Sequence, residues 1–127
     1  MRLFRLLAFV AVLVSLAGCG TATFSLGGPL AIRAGAGDLQ MENRTSAPVY
    51  TFVIERETAA VANWAPCTNP ATCEAIAPGQ QRRIAYDDIP GYEPGDDEAI
   101  VYWWHLVPAP GGGFATDSMR SEVVRLD

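Results

Sequence analysis

The sequence predicts an all-β domain, a small antiparallel β-sandwich, and three observations carry that reading. From Asp38 onward apolar and polar residues alternate with period two in several short stretches, the pattern of half-buried strands. Clusters of Gly, Pro, Asn and Asp punctuate those stretches at turn-like intervals. No segment past the first twenty residues keeps a 3.6-residue apolar period over the roughly ten or more residues that mark a helix. At 127 residues the chain holds one core, not two.

The elements follow in order. Residues 20–37 contain five Gly and few charges, the composition of a flexible tether, with Phe24 and Leu26 as candidates for a short first strand. Leu39 and Met41 alternate with Gln40 and Glu42 as a strand, and Asn43 to Pro48 is dense in turn formers. Val49 to Glu57 is rich in β-branched and aromatic residues on both parities, which places it in the middle of a sheet. Thr58 to Glu74 is a long connection holding Trp64, and its Ala-rich start, Thr58 to Ala65, has room for one or two helical turns. After Pro78-Gly79, alternation returns from Gln81 to Tyr86, and Asp87 to Glu98 is a loop with two Pro-Gly pairs. Ala99 to Val107 is the strongest strand; Pro108 to Gly113 breaks it, and Ser121 to Leu126 closes the chain as a last strand. Four or five strands result, an architecture loosely similar to immunoglobulin-like or fibronectin type III modules. The Cys–Trp–Cys spacing of true immunoglobulin domains is missing.

The first eighteen residues stand outside the domain. Arg2 and Arg5 form a positive start, and Leu6 to Leu16 is apolar except for Ser15. That length suits a signal-peptide h-region and falls short of the roughly 20 residues that cross a bilayer. Leu16-Ala17-Gly18-Cys19 then resembles the lipobox of bacterial lipoproteins. The resemblance implies a signal peptide over 1–18, a diacylglyceryl group on the Cys19 thiol, and a membrane anchor in the cell envelope. In that class Asp after the cysteine implies inner-membrane retention. Gly20 stands there instead, which points to the outer membrane, facing the periplasm.

With Cys19 lipidated, Cys67 and Cys73 remain as a pair in an oxidising compartment, so a structural disulfide is expected. Closing so short a loop is worth roughly 2 kcal/mol in the chain-entropy model. Five residues separate the two, so this is not a CxxC redox motif.

Charge and composition exclude whole classes of function. All nine basic residues are Arg, so a Schiff-base lysine, a phosphate-loop lysine and a Lys-rich nucleic-acid face are ruled out. The formal charge is −5, and loss of Arg2 and Arg5 with a leader makes the mature chain more acidic still. Such a globule repels phosphate backbones, so nucleic acid is not an expected partner. One His and three Cys exclude multi-His metal sites and Cys-rich zinc modules, and no cofactor is expected.

Four constellations remain. The carboxylates of Asp87, Asp88, Glu93, Asp96, Asp97 and Glu98 lack the order of a calcium loop and read as a solvated turn. Asn43-Arg44-Thr45 fits the glycosylation sequon, but the Asn equally suits a strand-ending turn. His105 has no G-x-S-x-G elbow to serve, so no catalytic residue is assigned. Tyr102, Trp103 and Trp104 are more telling, because consecutive tryptophans on a strand point to opposite faces. An unpaired imidazole is expensive to bury. The even set, Ile100, Tyr102, Trp104 and Leu106, is therefore expected in the core. The odd set then leaves Trp103 and His105 on the outer face, with Trp64 completing a candidate binding patch, unless the 58–74 loop covers that face. The resulting expectation is a lipid-anchored envelope protein with a non-enzymatic structural or protein-interaction role and an envelope protein as partner. The alternative is a glycan- or ligand-binding module using the aromatic strand.

Overall fold

A computed structural model describes residues 28–126. Cys19, Phe24 and Leu26 lie outside the described residues. Seven strands form two antiparallel sheets: β1 (Leu30–Gly35), β2 (Asp38–Asn43), β3 (Val49–Glu55), β4 (Ala75–Ile76), β5 (Gln81–Ala85), β6 (Glu98–Pro108) and β7 (Phe114–Arg125). One sheet has the order β1-β2-β5 and the other β4-β3-β6-β7. The all-β sandwich expected from the sequence is the fold. Its fourth strand pairs with the third, whereas in constant-type immunoglobulin domains the fourth joins the first sheet.

The segment assigned to a tether, 19–37, is corrected by β1. Leu30, Ile32 and Ala34 are buried on its inward face, and the strand pairs with β2 along its whole length. Ala36 and Gly37 make the two-residue hairpin turn, with Gly37 at φ 84°, a conformation that costs a glycine nothing. Averaging the glycine content hid a three-residue alternation. Of the described glycines there, Gly35 ends the strand and Gly37 serves the turn of the hairpin.

Between the sheets, Leu39 and Met41 of β2 meet Val49 and Val53 of β3, Val101 and Trp103 of β6, and Val124 of β7. β3 lies inside its sheet, between β4 and β6, as its composition implied. Both its parities are largely buried because one face meets the other sheet while the 58–74 connection covers the opposite face, with Trp64 stacked on Phe52. The last strand begins at Phe114, seven residues before the expected Ser121. Thr116, Asp117 and Ser118 carry no apolar alternation because they lie on a sheet edge, where pairing needs only backbone. β4, two residues long, has no detectable period and was not foreseen.

A single helical turn, α1 (Arg56–Ala59), follows β3, two residues ahead of the Ala-rich segment. Its start is set by Glu55, whose carboxylate accepts from the N–H groups of Glu57 and Thr58, both at 2.8 Å, and from the Thr58 hydroxyl at 2.8 Å. Gly91, at φ 80°, packs directly on Thr58: a Cβ there would stand 2.1 Å from the Thr58 hydroxyl oxygen. Gly91→Ala is therefore expected to displace Thr58, weaken the cap and strain the backbone. The combined cost is about 2–3 kcal/mol, read from urea unfolding of the two proteins.

Candidate functional site

The aromatic segment of β6 organises both faces of its sheet. Trp103 pairs with Thr51 and Trp104 with Tyr50, so the two tryptophans project to opposite sides. Trp103 joins the core between the sheets and is 6 % exposed. The expectation that the even residues face the core is thus inverted. His105 does not force its side outward, because the strand carries it past the end of the core. There its Nδ1 donates to the Pro48 carbonyl at 2.9 Å.

Trp104 is nonetheless buried, at 2 %, on the outer face of the sheet. The 58–74 connection covers it. Trp64 stacks on Phe52 with ring centroids 4.5 Å apart and lies 4.7 Å from Tyr102 and 6.2 Å from Trp104. The Trp104 indole N–H donates to the Cys67 carbonyl at 3.1 Å. Cys67 and Cys73 are joined by the expected disulfide, with Cα atoms 5.9 Å apart, inside the ordinary range. Asn69 shapes the loop between them: its carbonyl accepts from the Cys73 N–H at 2.8 Å and its side-chain oxygen from the Ala71 N–H at 3.0 Å. The loop is a second, small aromatic core closed by a disulfide.

These positions separate the residues grouped as a binding patch. Trp103 is inside the sandwich, with the Arg120 guanidinium 5.2 Å from its ring centroid at the rim. Trp64 is on the far side of the same sheet, and His105 is engaged with Pro48. The structure does not bring the three together, because the face assignment that grouped them was inverted.

The acidic loop is used locally. Asp96 accepts from the Glu93 N–H at 2.7 Å, and Glu98 pairs with Arg56. Among the described residues no three His, Cys, Asp or Glu side chains gather as a metal site.

Two polar residues matter more than the sequence suggested. Asn43 is fully buried, its amide donating to the carbonyls of Ala47 at 2.7 Å and Ile76 at 2.8 Å. Its oxygen accepts from the Thr45 N–H and hydroxyl at 2.8 and 2.6 Å. The sequon is a strand-ending turn whose Asn43 is buried while Arg44 is exposed, with Thr45 present to complete the Asn43 network. Glu55, 6 % exposed, is the other. Burial works to raise its pKa, but hydrogen bonds from Glu57, Thr58 and Arg56 outweigh it and hold the carboxyl below its ordinary value. Because the folded value lies below the unfolded one, the carboxylate's contribution is complete above about pH 4.3 and fades as pH falls through the folded value. Glu55→Gln is expected to unfold about 0.5–2 kcal/mol more easily at pH 7 and to show a flatter loss of stability in acid. Urea melts at a series of pH values read both effects. Glutamate is an uncommon N-cap, which is why pattern reading passed over it.

Comparison with protein-family models, with curated proteins and with solved structures finds no match for this chain.

Proposed function

We propose that this protein is a lipid-anchored component of the bacterial cell envelope with a structural or protein-interaction role and no catalytic one. The observation that carries the reading is the lipobox, Leu16-Ala17-Gly18-Cys19, behind a charged and then apolar leader. Its distance from the domain supports it: β1 begins at Leu30, so a short run of chain links Cys19 to a folded sandwich held close to the bilayer. The Cys67–Cys73 disulfide suits an oxidising compartment. His105, Asp96 and Glu98 are each held by a local hydrogen bond or ion pair, which fits a role without catalysis. Gly20 after the lipobox favours the outer membrane.

An acyl chain contributes about 0.8 kcal/mol per buried CH₂, and two or more chains make anchoring stable. Cys19→Ser is therefore expected to move the chain from the membrane to the soluble fraction of lysed cells, with the domain still folded. Cross-linking in intact cells should capture an envelope protein with the native chain, and less of it with Cys19→Ser. Retention of Cys19→Ser in the membrane as an acylated species would refute the anchor. Capture of no envelope protein by a correctly anchored chain would refute the interaction role.

A further inference from the structure

Strand β7 is the edge of its sheet, hydrogen-bonded to β6 on one side and, among the described residues, to no strand on the other. It is 12 residues long, about twice the usual strand. Such an edge offers a row of N–H and C=O groups to any further strand. We propose that β7 pairs antiparallel with β7 of a second copy of this chain, about a two-fold axis at Ser121, so that two four-stranded sheets become one of eight.

The register follows from symmetry and charge. A two-fold axis relating two such edges stands perpendicular to the sheet and keeps each face on its own side. Residues opposite one another then share parity, so the axis must fall at a residue. With the axis at Ser121, Arg120 of each copy faces Glu122 of the other. Met119 likewise faces Val123, and these are two of the most exposed large apolar side chains, at 41 % and 46 %. Centring on Arg120 or Glu122 instead sets like charges directly opposite, which destabilises a sheet. Of the possible centres only Ser121 sets opposite charges face to face, so the charges that keep strangers off this edge favour this self-complementary register. Arg120 is held in place by its contact with the Trp103 ring. The bulge opposite Trp104, where Ser118 has φ 53°, bends the far end of β7 and confines pairing to the stretch from Met119. The inference holds whether or not Cys19 carries lipid.

The test uses the full chain, expressed with its own leader in bacteria, carrying Ser121→Cys and treated in intact cells with a short bis-maleimide linker. The parent chain sets the background. A species of twice the chain's mass is expected. Its yield should fall at least tenfold when Arg120→Glu or Glu122→Arg is added, and recover when both are present together. Recovery also separates lost pairing from lost folding, since two reversals that each unfold the chain would not restore one another. The proposal is overturned by the absence of that species, by a yield indifferent to single charge reversals, or by failure of the double reversal to recover. An adduct with a different protein instead would show that another strand occupies the edge.

Discussion

Trp103→Ala is expected to cost the domain about 3–5 kcal/mol, the range for deleting a large aromatic from a packed core. The side chain lies between two sheets, among Val49, Val53 and Val101 on its own side and the inward residues of β1 and β2 across from it. Those neighbours are fixed by strand ladders and have little freedom to close the space left behind, so the cavity persists. Trp104→Ala removes as large a ring from a site that is buried more completely, yet it is expected to cost less, about 2–3 kcal/mol. Its cover is the Trp64 loop, which has no ladder of its own and settles into the gap. The two substitutions also differ in kind. Losing Trp104 frees the Cys67 carbonyl and exposes Trp64, which a red shift of tryptophan emission reports before global unfolding. Urea denaturation of both variants beside the parent gives the ranking, and a reversed order would place Trp104 in the main core.

Asn43→Asp is expected to cost a similar 3–5 kcal/mol, although the exchange is nearly isosteric. The amide donates to Ala47 and Ile76, and a carboxylate cannot donate to either. Each unsatisfied buried acceptor costs about 1–3 kcal/mol, and an ionised oxygen facing two carbonyls adds to the penalty. The position explains the size of the effect. Asn43 ends β2 in one sheet while Ile76 belongs to β4 in the other, so this side chain ties the two layers together. Its backbone does the same locally, donating to the Gln80 carbonyl at 3.0 Å and accepting from the Gly79 N–H at 2.8 Å. Asn43→Ala should cost less than Asn43→Asp, because it removes the donors without burying a charge. Thermal unfolding at pH 7 distinguishes the two, and Asn43→Asp should regain part of its loss as the pH falls and the carboxyl takes a proton.

Much of this architecture was legible where physics leaves a periodic trace. Leu39 and Met41 alternate because β2 has one wet face, and Val49 to Ile54 are apolar on both parities because both faces of β3 are covered, one by the other sheet and one by the Trp64 loop. The disulfide followed from counting thiols once Cys19 had another use. What escaped had no such trace. β1 was lost because its alternation is three residues long and embedded among glycines. β4 is too short to have a period. The faces of β6 are not legible from His105, whose burial cost would matter only level with the core, while the strand is long enough to place it beyond the edge. Composition also cannot reveal that a connection folds back over a sheet. Trp64 sits in a loop of unremarkable sequence, and only its stack on Phe52 shows why both faces of β6 are aromatic. Asn43 and Glu55 were overlooked as structural centres because each looks like an ordinary surface residue until its partners, distant or unusual, are known.

The central claim is that this sandwich is held to a membrane by lipid on Cys19. The direct measurement is the intact mass, with N-terminal peptide mapping, of the protein extracted in detergent from bacterial membranes without reductant. The account predicts a chain beginning at Cys19, carrying a diacylglyceryl group on that thiol and an internal Cys67–Cys73 disulfide. A chain that begins elsewhere, or that carries an unmodified Cys19 and is recovered without detergent, would contradict it.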